Sequence, residues 1–172
     1  MVPAVVAVAA RSLERAQEFA DTHGIPKAYG SYEELLADPT IDAVYNPLPN
    51  SLHMPLSVAA LRAGKHVLCE KPMCQNAEEA MIMQRESEDA GKVLIEAFHT
   101  INHPAAVRCR DIVRSGVIGA VADVSVLHLG NFLNGKTSKD DDVRLDVTLG
   151  GGCMMVAIDE FFVKTDGILY FK

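Results

Sequence analysis

At 172 residues the chain is long enough for one domain with an ample core and for the start of a second. A formal net charge of −7, from 16 Lys and Arg against 23 Asp and Glu, with no basic stripe, excludes nucleic acid and anionic membranes as expected partners. No apolar run approaches the roughly 18 residues of a membrane span, and the N-terminus lacks the pattern of a secretory signal.

In chain order, "AVVAVAA" (4–10) is a continuous apolar run rich in valine, predicting a strand covered on both faces. "SLERAQEFADTHG" predicts a helix with Leu13, Ala16, Phe19 and Ala20 on one face, capped by Ser12 and ended by Gly24. Ser31 and Glu34 form a capping box for a short helix reaching about Ala37. "IDAVYNPL" predicts a second buried strand that Pro47 stops, and Asn50 is expected to cap a helix running to Ala63. "HVLCE" is a third strand, Asn76 and Glu79 box a helix to Ala90, and "VLIEAF" is a fourth strand. Pro104 opens a helix ending near Gly116. "AVADVSVLHLG" alternates like a half-exposed antiparallel strand, and 131–149 reads as a polar loop.

Strand and helix in alternation, with short capped connections, predict an α/β fold built on a doubly wound parallel sheet. A change of domain is expected near 98–103, giving a dinucleotide-binding unit at 1–98 and the start of an α+β unit at 99–172. Cys69, Cys74, Cys109 and Cys153 form no C-x-x-C pair, which predicts reduced thiols and a cytoplasmic location. The histidines are equally dispersed, so no metal site is expected.

Ligands of open parallel sheets bind beyond the carboxyl ends of the strands, and three such ends carry unusual residues. At the first, an arginine with a hydroxyl neighbour, Arg11-Ser12, can accommodate the 2′-phosphate of NADP. The competing reading makes Ser12 only a cap and Arg11 a solvated side chain. At the second, two prolines in Asn46-Pro47-Leu48-Pro49-Asn50 stiffen an extended turn that could face a flat cofactor ring, with His53 in the next helical turn. His53 is equally well an ordinary core or surface histidine. At the third, Lys71 between Glu70 and Pro72 can exchange a proton with a bound hydroxyl, or can simply belong to a solvated ion pair.

Taken together, "AARSLERAQEFA", "SYEELLADPTIDAVYNPLPNSLH", "AALRAGKHVLCEKPM", "EAF" followed by "HP", "SGVIG" and "RLDVTLGGGCMM" resemble the Gfo/Idh/MocA oxidoreductases over residues 4–155. The nearest likeness is to the branch holding NADP-dependent D-xylose 1-dehydrogenase and trans-1,2-dihydrobenzene-1,2-diol dehydrogenase. The resemblance implies a Rossmann domain, NADP (with NAD as the other cofactor reading) and hydride transfer to or from a sugar or diol hydroxyl carbon. It implies Lys71 as the catalytic lysine, positioned by Glu70 and Pro72. Asn46, Pro47, Leu48, Asn50 and His53 would line the nicotinamide and ribose cleft, and Arg11 and Ser12 would hold the 2′-phosphate. Relatives often dimerise through an open sheet, which leaves a homo-oligomer open.

The sequence departs from that pattern at both ends. No G-x-G-x-x-G is present, and Val156 and Glu160 stand where the family carries an Asp and a Tyr or His. The expectation is a chain incomplete at both ends. The alternative readings are an inactive relative that pairs with an intact subunit, and a different reductase resembling biliverdin reductase.

Overall fold

The computed structural model describes residues 4–123, 142 and 146–151. Strands and helices alternate as β1 (Ala7–Ala9), α1 (Leu13–His23), β2 (Lys27–Tyr29), α2 (Tyr32–Ala37) and β3 (Ala43–Asn46). They continue as α3 (His53–Arg62), β4 (His66–Cys69), α4 (Ala77–Ala90), β5 (Leu94–Glu96) and α5 (Pro104–Arg114). β1 pairs with β2, while β3, β4 and β5 form a second sheet in that order, with every pair parallel. Asn46 lies level with Cys69, and Cys69 with Glu96, so β3, β4 and β5 end on one rim. This is a Rossmann-like α/β fold.

The helix starts follow local chemistry. Ser12 Oγ accepts from Arg15 N, Ser31 Oγ from Glu34 N, and Asn76 Oδ1 from Glu79 N. Each such cap stabilises its helix by about 1 kcal/mol. In both boxes the glutamate reaches one residue further back than expected: Glu34 accepts from Gly30 N and Glu79 from Gln75 N. Gly24 (φ 66°) ends α1 and Gly91 (φ 59°) ends α4, left-handed positions at which a side chain would be strained.

Three expectations need correction. β2 was absent from the sequence reading, because Lys27-Ala28-Tyr29 has no apolar run, yet it pairs in register with Ala7–Ala9. Asn50 does not cap α3. A 3-10 turn, Asn50–Leu52, leads into that helix without a side-chain cap, and Asn50 Nδ2 instead donates to Gly150 O at 2.8 Å. Among the described residues the apolar strands are also not covered on both faces. Leu36, Ala60, Leu61, Val67 and Cys69 form the core, where α2 and α3 meet one face of the three-stranded sheet. Tyr45, Leu68 and Ile95, level in register on the opposite face, are 53, 42 and 55% exposed. Alternation along a strand sends every second side chain to that face, and no described element covers it. Val5 and Val6 of the first apolar run are likewise exposed.

The antiparallel strand expected at 121–129 and the loop at 131–149 fall largely outside the described residues, and Val121–Asp123 is irregular. Among the described residues, no helix is long and apolar enough to cross a membrane, and no three His, Cys, Asp or Glu side chains group to hold a metal ion.

β2 is tied to the loop after α2 through Asp38. Its carboxylate meets Lys27 Nζ and Tyr29 OH, both at 2.7 Å, and accepts from Thr40 N and Oγ1. Lys65 Nζ donates to the Asp38 carbonyl. The Lys27 ammonium, with the Thr40 and Tyr29 donors, holds the Asp38 carboxyl well below the usual carboxylate range. A carboxyl whose pKa is lower folded than unfolded stabilises the fold above its unfolded value of about 4, and that stability fades as pH falls toward the folded value. Urea unfolding of Asp38→Asn should therefore show lower stability than wild type at pH 7 and a smaller further loss between about pH 5 and pH 2.

Candidate cofactor and active site

Two groups of residues assemble at the strand ends. The first surrounds an open cavity of about 700 Å³ between the end of β1 and the turn after β3. Arg11 and Ala10 form one side, Leu48, Pro49 and Leu52 the other, and Leu149 closes onto it. Arg11 is exposed, and no described carboxylate pairs with its guanidinium. Ser12 begins α1 beside it but uses its hydroxyl oxygen to cap the helix.

The second group builds the Lys71 loop, at the rim where β3, β4 and β5 end. Glu70 N donates to Asn46 O at 2.9 Å, extending the β3–β4 ladder by one bond. The Glu70 carboxylate accepts from Lys71 N and from Tyr45 OH, both at 3.0 Å. Partial burial, and then the Glu70 carboxylate, push the Tyr45 phenol up. The Lys71–Pro72 peptide is cis. His53 Nδ1 lies 2.7 Å from Pro72 O, and Met73 N donates to Glu96 Oε1 at 2.8 Å. Lys71 is half-buried and Pro72 buried.

Asn46 and His53 are 0% and 1% exposed. Asn46 Nδ2 donates to His53 O and Ser57 Oγ, each at 3.1 Å, and its Oδ1 accepts from Leu48 N. Both side chains thus lie behind the wall of the cleft rather than on it, holding the turn against α3. Leu48 lines the cavity; Pro47 is exposed beside it. Asn46, Asn50, His53, Glu70, Lys71 and Pro72 do not line that cavity. Cys69 is fully buried, and burial pushes its thiol up to about 11, which leaves it an inert core residue at neutral pH.

Four residues escaped the sequence reading: Tyr45, Ser57, Glu96 and Gly150. Glu96 left a signal, an acid ending an apolar strand as Glu70 follows another. Gly150 left only the run of three glycines. It is buried at φ 75°, and a Cβ there would stand 2.9 Å from Asn50 Cβ and 2.7 Å from Gln75 Oε1. Gly150 therefore packs its backbone directly on the 3-10 turn before α3 and on the loop before α4. The positions of Val156 and Glu160 lie outside the described residues.

Residues 3–98 match the family described as oxidoreductase family, NAD-binding Rossmann fold, GFO_IDH_MocA. The chain belongs to this family. It is 44% identical over 170 residues to D-xylose 1-dehydrogenase (NADP(+)) 2 of Haloferax volcanii, covering 95% of this chain and 51% of that one. It is 48% identical over 115 residues to trans-1,2-dihydrobenzene-1,2-diol dehydrogenase of Oryctolagus cuniculus, covering 67% and 35%. A 3-ketoreductase from Actinomadura kijaniata, solved with NADP and TDP-benzene, superposes with a TM-score of 0.60 at 37% identity, over 66% of this chain and 34% of that one. The chain spans about half the length of the first relative and about a third of the second.

The described residues fit a dinucleotide in part. A guanidinium with no carboxylate partner among the described residues, beside a cavity with an apolar wall, suits a phosphate-bearing nucleotide. No G-x-G-x-x-G turn is present in the sequence to cradle a pyrophosphate.

Proposed function

We propose that this chain carries the cofactor side of an NADP-dependent dehydrogenase that moves hydride between nicotinamide and a hydroxyl-bearing carbon of a sugar or diol. The observation that carries the reading is the cavity between the ends of β1 and β3, lined in part by Arg11, whose guanidinium pairs with no carboxylate among the described residues. The xylose- and dihydrodiol-acting relatives support a small polyhydroxylated substrate over a macromolecular one.

The bound nicotinamide would supply the hydride acceptor or donor; the protein handles position and protons. Arg11, with Ser12 beside it, would hold the 2′-phosphate. Leu48 and the flanking prolines would form the apolar wall, with Asn46 and His53 fixing that wall from behind. Asn50 would hold the Gly150 segment against the cleft. Lys71 would receive the proton of the substrate hydroxyl as hydride leaves its carbon, with Glu70 and Pro72 setting its backbone. NAD is the second cofactor reading, since Arg11 is an exposed side chain that could turn away from an unphosphorylated ribose. A cytoplasmic location and the division into units at 98–99 belong to the same proposal.

Fluorescence titration with NADPH and NADH tests the cofactor assignment. Arg11→Ala should weaken NADPH binding about tenfold or more, the worth of a charge-assisted phosphate contact, and change NADH binding less than about threefold. Equal effects on the two cofactors, or none, would assign Arg11 to the solvated surface.

A further inference from the structure

We infer that His53 is a positioning residue for Lys71, acting through the carbonyl of Pro72. This rests on the reading of Lys71 as the proton-handling group. The hydrogen bond between the His53 ring and the Pro72 carbonyl has a direction fixed by chemistry. His53 Nδ1 and Pro72 O are 2.7 Å apart, and a carbonyl oxygen can only accept. The proton therefore sits on Nδ1. In neutral His53 this leaves Nε2 as a bare acceptor, and Nε2 is buried with no hydrogen-bond partner among the described residues.

The ring holds the one peptide that the neighbouring anchors leave. Lys71 N is held by Glu70, and Met73 N by Glu96. Pro72 has no N–H, so only its carbonyl can be gripped, and His53 grips it. Residues 71, 72 and 73 are thus held in succession by the Glu70 carboxylate, α3 and β5, and Glu70 N is itself bonded to Asn46 O of β3. The histidine is itself held, because Asn46 Nδ2 donates to the His53 carbonyl. One short chain of contacts runs from the β3 turn through the first turn of α3 to the residue after Lys71. A core histidine needed only to fill space would require neither the Nδ1–H tautomer nor this partner. Replacing the ring should let the loop relax and displace Lys71 relative to the turn.

Three variants and one spectrum test this on the native full-length protein. Long-range 15N correlation of the imidazole should show the Nδ1–H tautomer, with Nε2 as the unprotonated nitrogen; the reverse assignment overturns the proposal before any kinetics. His53→Leu removes the donor at similar bulk, while His53→Asn keeps an N–H donor close to the Nδ1 position. His53→Leu should lower kcat tenfold or more, with NADPH affinity and substrate KM changed less than about threefold, and His53→Asn should recover most of that loss. Equal losses in both variants, or a fall in melting temperature with unchanged kcat of the folded protein, assigns His53 to packing and overturns it. Lys71→Ala separates the two claims. If kcat survives that change, the proton-handling reading falls and takes this inference with it. If Lys71→Ala is crippled while His53→Leu is not, the inference alone falls.

Discussion

Lys71→Ala is expected to lower kcat by about 10²- to 10⁴-fold, the range for losing a positioned acid or base, while cofactor affinity stays within a few-fold. The expectation follows from where the loop is anchored. Glu70 N is held by Asn46 of β3, Lys71 N by the Glu70 carboxylate, Pro72 O by α3 and Met73 N by β5, so the backbone of the loop has anchors of its own. Removing the Lys71 side chain should leave the loop, and the cavity some way along the rim, in place. Steady-state kinetics together with NADPH titration of the same preparation give the split. Parallel losses in kcat and cofactor affinity would mark the lysine as structural.

The second large effect is on stability. Asn46→Leu should cost about 2–4 kcal/mol, read from urea unfolding at neutral pH. The asparagine is completely buried, and one side chain satisfies the His53 carbonyl, the Ser57 hydroxyl and the Leu48 amide. Leucine is close in size, so the loss comes from stranded polar groups rather than from an empty space, and each such group costs about 1–3 kcal/mol when water cannot replace its partner. Partial access to Leu48 N keeps the sum below three full penalties. A loss under about 1 kcal/mol would mean that water enters the turn and that Asn46 is not its keystone.

What could be read in the sequence was local. Ser12, Ser31 and Asn76 announce their helices because a cap contacts a residue only three positions on. The "KHVLCEKP" run marks the end of β4 because proline and paired charges stop a strand wherever they fall. The three strand ends could be grouped because parallel order alone gathers carboxyl ends on one side.

What could not be read was non-local. Asn50 has the right type and place for a cap, yet its partner lies 100 residues along the chain, and no pattern in the helix itself reveals that. β2 is three residues long with a lysine at its start, and only its pairing with β1 makes it a strand. Continuous apolar runs predict doubly covered strands, but a run states only that both faces could be buried, not that a neighbour arrives; Tyr45, Leu68 and Ile95 stay exposed. His53 shows the same limit in the site. Its position was visible, but its grip on Pro72 depends on how α3 packs against the β4 loop.

The most direct test of the central claim is reduction of NADP by the native protein, followed through the absorbance of the reduced nicotinamide, across a panel of aldoses and trans-dihydrodiols. The account predicts reduction with at least one member of the panel, stronger with NADP than with NAD, and abolished in Lys71→Ala. A native protein that binds NADPH yet reduces no NADP with any member of the panel would contradict it.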